Sequence, residues 1–150
     1  MLLALSLAFA LEGQIAEPGE MIAACLEGQS DASARRACIW QYANACMETR
    51  EDGYSTHGMV TCMVEERDAW SDRMQESLAR LDASVEPNVA NAVARAQTAW
   101  EAYLQADCAT EPEYYLGGSM AGLTHASCTL DLTAERALRL QVFEDITEPR

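Results

Sequence analysis

Residues 55–81 read STHGMVTCMVEERDAWSDRMQESLARL, and this stretch decides the fold class. Met59, Met63, Trp70, Met74, Leu78 and Leu81 recur at steps of three, four or seven, which places them on one face of an α-helix. Ser55 or Thr56 can cap its first turn. Glu66 and Arg67 fill the position that the stripe skips. One of them is therefore expected at the rim of the core, beside a partner that offsets its desolvation.

The same period extends in both directions. Upstream, Glu20 to Leu26 is a short amphipathic stretch that stops at Gly28, and Ser30 or Asp31 can cap a helix expected to run unbroken to about Thr49. Residues 50–54 then form a polar loop around Asp52-Gly53. Downstream, Pro87 suits the first turn of a helix whose inward stripe is Val89, Val93, Ala96, Trp100, Tyr103 and Leu104 and which ends near Cys108. Residues 110–118, TEPEYYLGG, are expected as a loop because Pro112 bars simple continuation. Ser119 starts a last helix, to about Asp145, with Leu123, Ala126, Leu130, Ala134, Ala137 and Leu138 inward. No segment alternates as strands do. The expected class is all-α: a small disulfide-stapled bundle of about four to five helices. Met and Trp at helical spacing are what such a core requires, so they do not call for a haem or other cofactor, and none is expected.

Composition bounds the function. The 150 residues are 49% hydrophobic and 23% charged, the profile of one globular domain. The formal charge is −14, and all ten basic residues are Arg. Such a surface repels nucleic acid and attracts basic proteins. Residues 1–16, MLLALSLAFALEGQIA, hold an apolar run too short to span a bilayer and placed like the core of a signal peptide. The expectation is a leader over 1–16, a single domain over 17–150, and a periplasmic or secreted location without a transmembrane segment.

Six cysteines behind such a leader read as three disulfides: Cys25, Cys38, Cys46, Cys62, Cys108 and Cys128. A zinc site is disfavoured, because there is no C-x-x-C pair and His57 and His125 stand at no ligand spacing. Ile22-Ala23-Ala24-Cys25 matches a lipoprotein attachment box, but acidic residues separate it from the apolar run and lipidation would leave an odd cysteine, so a lipid anchor at Cys25 is set aside. On one helix Cys38 and Cys46 would lie about 12 Å apart, too far to join each other. Folding back about Gly28 brings Cys25 to Cys38, and folding about Asp52 brings Cys62 to Cys46. The remaining pair is Cys108 with Cys128.

Catalytic motifs are weak. Gly117-Gly118-Ser119 before a helix could cradle an anion, but a turn followed by a helix cap is the preferred reading, because there is no G-x-x-x-x-G-K pattern and no preceding strand. Gly117-Gly118-Ser119-Met120-Ala121 comes within one residue of the G-x-S-x-G nucleophile elbow; it lacks a leading strand, and His125 lies only six residues beyond Ser119 on the same helix. No enzyme is expected, and no catalytic, cofactor-binding or metal-binding residue is assigned.

Several stretches taken together resemble the N-terminal domain of the LprI-type lysozyme inhibitor family. Ser55-Thr56-His57-Gly58-Met59 with Cys62 is similar to its S-T-x-G-M-x-x-C pattern, and Ala96-Gln97-Thr98-Ala99-Trp100 to A-Q-x-A-W. Cys108, Gly117-Gly118-Ser119-Met120, Cys128 and Leu132-Thr133-Ala134-Glu135-Arg136 follow in order, so the likeness spans roughly residues 25–140. There are departures. Leu104-Gln105-Ala106-Asp107-Cys108 stands where the family commonly has R-D-A-E-C, and residues 70–78 depart from W-D-x-x-L-N-x-x-Y, which puts a polar network between the long helices in question. The resemblance implies an exported helical domain and, as a partner, a basic protein such as lysozyme. The alternative is a structural or stress-related envelope domain without inhibitory activity.

A basic partner is expected to dock on the loop from Glu111 to Leu116, after the fourth helix, with Asp107 at its base. Asp107, Glu111 and Glu113 would steer encounter, and Tyr114 and Tyr115 would supply rigid amphipathic contact area. The competing expectation is that both tyrosines fold inward over the helix ends.

Overall fold

The computed structural model describes residues 15–147. Among the described residues there are seven helical segments: α1 (Pro18–Leu26), α2 (Ala32–Arg36), α3 (Gln41–Thr49), α4 (Thr56–Ser84), α5 (Pro87–Asp107), α6 (Thr110–Tyr114) and α7 (Ser119–Thr147). Five are nine residues or longer, and α2 and α6 are single turns. The class is all-α. Residues 1–14, most of the expected leader, lie outside the described part.

The spine is the pair of 29-residue helices α4 and α7. Gly122 near the start of α7 faces Val60 near the start of α4, and Arg80 near the end of α4 pairs with Glu144 near the end of α7. The two helices therefore run parallel, and α5 is the return stroke between them. From α4, Met63, Trp70, Met74 and Leu81 are buried, while Met59 and Leu78 are partly so. From α7, Ala126, Leu130, Ala134, Ala137 and Leu138 are buried, with Leu123 packed at the edge. Alanines interleaved with leucines leave room for the bulk of Trp70, so that volume is shared between facing helices.

Ser55 caps α4, its Oγ accepting from the Gly58 N–H at 2.9 Å. Gly58 itself has a steric reason. A Cβ there would fall on the backbone carbonyl of Asp52, so the S-T-x-G pattern joins a cap to a close approach of the preceding turn.

The sequence reading needs four corrections. First, the helix expected to run unbroken to Thr49 is broken: α2, capped by the Asp31 carboxylate on the Ser33 and Ala34 N–H groups, ends at Arg36, and α3 restarts after Trp40, whose φ is 74°. The cause is Glu66. Its carboxylate is fully buried and accepts from the Trp40 N–H (2.7 Å), the Ala43 N–H (2.8 Å) and the Trp70 indole N–H (3.0 Å). It supplies from another helix the acceptors that the first turn of α3 lacks. Second, the residue that interrupts the stripe thus lies at the centre of the core and not at its rim, whereas the half-buried Arg67 pairs with its neighbour Asp68. Third, the predicted stripe of α5 is only partly covered: Val89, Val93, Trp100 and Leu104 are half-buried, Ala96 and Tyr103 are exposed, and the one buried residue is Gln97. A third helix laid over a two-helix spine has just one narrow face to bury. Fourth, residues 110–114 form α6 and not open loop, because Pro112 falls within its first turn, where the missing N–H costs nothing.

The disulfides pair Cys25 with Cys38, Cys46 with Cys62 and Cys108 with Cys128, with Cα–Cα distances of 5.8, 5.7 and 5.5 Å. These are the pairings expected from the fold-back at Gly28 and Asp52. No helix of the described residues is long and apolar enough to cross a membrane.

Candidate partner-binding surface

The residues singled out for docking converge where α5, α6 and α7 meet. The bridge from Cys108 to Cys128 ties the end of α5 to α7. One turn earlier on α7, the Nδ1 of His125 lies 2.9 Å from the Cys108 carbonyl oxygen; since that oxygen can only accept, the ring donates from Nδ1. A covalent and a polar tie thus act on the same residue. Thr110 Oγ1 donates to the Asp107 carbonyl at 2.7 Å and starts α6. Two residues with positive φ, Leu116 (51°) and Gly117 (75°), reverse the chain into α7. Glycine adopts that region freely; Leu116 does so at a cost of order 1 kcal/mol.

The result is a braced knuckle with its large side chains outward. Tyr114 is 80% exposed, Tyr115 39% and Leu116 92%, with Met120 beside them also exposed. The two tyrosine rings stack edge to face at 5.2 Å, which fixes their mutual orientation. Glu111 and Glu113 are exposed on α6. Asp107 is turned back onto α5, its carboxylate accepting from the Tyr103 hydroxyl at 3.0 Å. That hydrogen bond, and then the carboxylate's charge, hold the Tyr103 phenol above its usual pKa. Met120 and Tyr103 join this surface without having been singled out, and Leu116, the last residue of the expected docking loop, joins it as a contact residue in its own right. For Leu116 a signal existed: an apolar residue directly before Gly117-Gly118 cannot be carried inward by a helix stripe. Tyr103 was hidden by its helical spacing.

A second polar system holds the family-like motifs together. Gln97 accepts from the Arg136 Nε at 3.0 Å and donates to Glu101 at 3.1 Å, and the Arg136 guanidinium lies over the Trp100 ring, 6.0 Å from its centroid. Gln97 and Trp100 belong to the A-Q-x-A-W stretch and Arg136 to L-T-A-E-R. The polar link between α5 and α7 is therefore built from these residues despite the departures at 70–78 and 104–108.

Along α4, Glu65 accepts from the Tyr42 hydroxyl (2.8 Å) and from Arg50 (2.7 Å). Burial first, and then Glu65, push the Tyr42 phenol up to about 12. Elsewhere, Ser119 opens α7 after a turn and not after a strand, and the histidine nearest to it in sequence, His125, is engaged on Cys108. All six cysteines are bridged. Among the described residues no group of three or more His, Cys, Asp or Glu is placed to hold a metal ion.

Fold and surface define a class: a disulfide-braced helical domain of strongly acidic character that presents an aromatic and carboxylate-bearing knuckle. The sequence profile described as lysozyme inhibitor LprI matches residues 46–140, more than half of the chain. The chain belongs to the lysozyme inhibitor LprI family. The matched segment takes in two of the three bridges, Gly58, and the Gln97–Arg136–Trp100 cluster. No curated protein sequence and no solved structure matches the chain.

Proposed function

We propose that this protein is an exported, non-enzymatic binding protein that captures a basic protein, lysozyme being the first candidate, through the knuckle formed by Asp107, Glu111, Glu113, Tyr114 and Tyr115, with Leu116 as an added anchor. The observation that carries the reading is the exposure of Tyr114 and Leu116 on a disulfide-braced turn flanked by carboxylates. Isolated apolar side chains are common on surfaces, but a rigid aromatic and aliphatic group rimmed by charge has the make-up of a binding hot spot. Bracing lowers the ordering cost of association. The net charge of −14 would steer a basic partner from a distance. Family membership supports lysozyme as that partner, and the leader-like residues 1–16 and the three bridges support a periplasmic or secreted site of action.

Surface plasmon resonance against immobilised lysozyme, paired with a cell-wall lysis assay, tests the proposal. Glu111→Gln with Glu113→Gln is expected to slow association and flatten its salt dependence, while Tyr114→Ala or Leu116→Ala mainly speeds dissociation. If the unaltered protein does not bind lysozyme even at low salt, lysozyme is not the partner. Binding that these folded variants leave unchanged would place the docking surface elsewhere.

A further inference from the structure

Between α5 and the C-terminal half of α7 runs an open apolar groove of about 330 Å³, at the lower end of the range for small-molecule sites. On the α5 side Ala92 and Ala96 alternate with Val89 and Val93, too short to fill the gap; on the α7 side it is lined by Leu140, Phe143 and Ile146. The groove has chemical polarity along its length. At one end Arg136, which belongs to the Gln97–Arg136–Trp100 cluster, and Arg139 stand on its wall. The other end, toward Val89 and Ile146, is wholly apolar.

Among the described residues, Arg35, Arg36, Arg50, Arg67 and Arg80 each pair with a carboxylate, whereas Arg73, Arg95, Arg136 and Arg139 do not; of these four, Arg136 and Arg139 stand one turn apart on α7 and both line this groove. The nearest acid in sequence, Glu135, is committed to Arg36. Arg136 spends one N–H on Gln97, and burial and the neighbouring Arg139 charge both disfavour its protonated form. Arg139 is exposed and makes no hydrogen bond or ion pair among the described residues. Two guanidinium groups one turn apart, with no counter-charge among the described residues of a protein of net charge −14, suit an anion supplied from outside.

We propose that this groove binds a fatty acid, its carboxylate held by Arg139 with Arg136 behind it and its chain lying toward Val89 and Ile146. From residue 136 to residue 146 the helix rises about 15 Å, the reach of a saturated chain of roughly twelve carbons. The guanidinium fork suits a carboxylate, and the groove admits a single chain.

The test is isothermal titration of the intact protein with dodecanoate below its micellar concentration, beside dodecyltrimethylammonium and lauroyl-lysophosphatidylglycerol. The general field of the protein favours the cation, so specific recognition is expected to invert that order. Dodecanoate should bind at one site and the cation at least about tenfold more weakly. Arg139→Gln should weaken dodecanoate about tenfold with Arg139→Lys recovering part of the loss, and Ala96→Trp, which fills the groove from an exposed position, should abolish binding while the circular dichroism melt is unchanged. Equal or tighter binding of the cation, no dodecanoate binding, or binding indifferent to Ala96→Trp and Arg139→Gln would overturn the proposal. Tighter binding of the lysophospholipid than of dodecanoate would overturn the choice of a fatty acid as the occupant.

Discussion

Replacing Glu66 should damage this fold more than replacing any other charged residue in it, because one fully buried carboxylate serves three donors. Glu66→Ala strands the Trp40 N–H, the Ala43 N–H and the Trp70 indole N–H, now bonded at 2.7, 2.8 and 3.0 Å. Each buried donor left unsatisfied costs about 1–3 kcal/mol, and water entering the vacated space repays part of that. A net loss of about 4 kcal/mol follows. Against a typical total of 5–15 kcal/mol this is severe. For a chain of this size it lowers Tm by roughly 15 °C. Glu66→Gln is the sharper probe. Its carbonyl oxygen can take the place of Oε1, which serves Trp40 and Trp70, but its amide then points an N–H at the Ala43 N–H, donor against donor. The expected cost is about 2 kcal/mol. Urea unfolding with the disulfides intact gives both values, and hydrogen exchange at Ala43 shows whether the damage is local to the first turn of α3. A Glu66→Gln variant as stable as the parent would refute the reasoning, since it would mean that no second acceptor oxygen is needed there.

Three further outcomes are expected. Gly58→Ala should destabilise by about 2 kcal/mol in the same urea assay, although on an open helix Ala would be favoured; a stabilised variant would show that the Asp52 carbonyl can move aside. Tyr42 has a folded pKa near 12 against about 10 when unfolded, so its contribution is complete below pH 10 and is lost as pH rises from 10 to about 12; Tyr42→Phe should remove that part of the alkaline loss of stability, read as Tm against pH. Removing the third bridge with Cys108→Ser and Cys128→Ser opens a loop of sequence separation 20 and should cost about 3 kcal/mol, with hydrogen exchange rising first in α6; unchanged exchange there would mean that His125 and packing hold the knuckle alone.

What the sequence made legible follows the range of the forces involved. The stripes of α4 and α7, the caps Asp31 and Ser55, and the three pairings depend on residues within a few turns of each other, and all could be read from spacing. The break at Trp40 could not, because the group that causes it stands 26 residues away on another helix. Nothing in residues 32–49 carries that signal; it lies in Glu66, a charge in the middle of an apolar stripe. The exposure of α5 was equally out of reach, since helical period reports which residues share a face and not how much of that face a neighbour covers. At the candidate surface the acidic and aromatic residues could be picked out from composition and turn chemistry, whereas the outward turn of Leu116 depends on a backbone φ of 51°.

The order of the bridges has a consequence for how such a chain matures. Each cysteine is joined to the next one along the sequence, with separations of 13, 16 and 20, so no bridge encloses or crosses another. Of the fifteen ways to pair six cysteines, this is the one reached if every thiol, delivered N-terminus first into an oxidising space, reacts with the first partner to follow it. Maturation would then need an oxidant but no reshuffling, which can take seconds to hours. No bridge spans α4 and α7, so the spine is left to find its parallel alignment by packing alone, after the covalent work on the N-terminal half of each helix is finished.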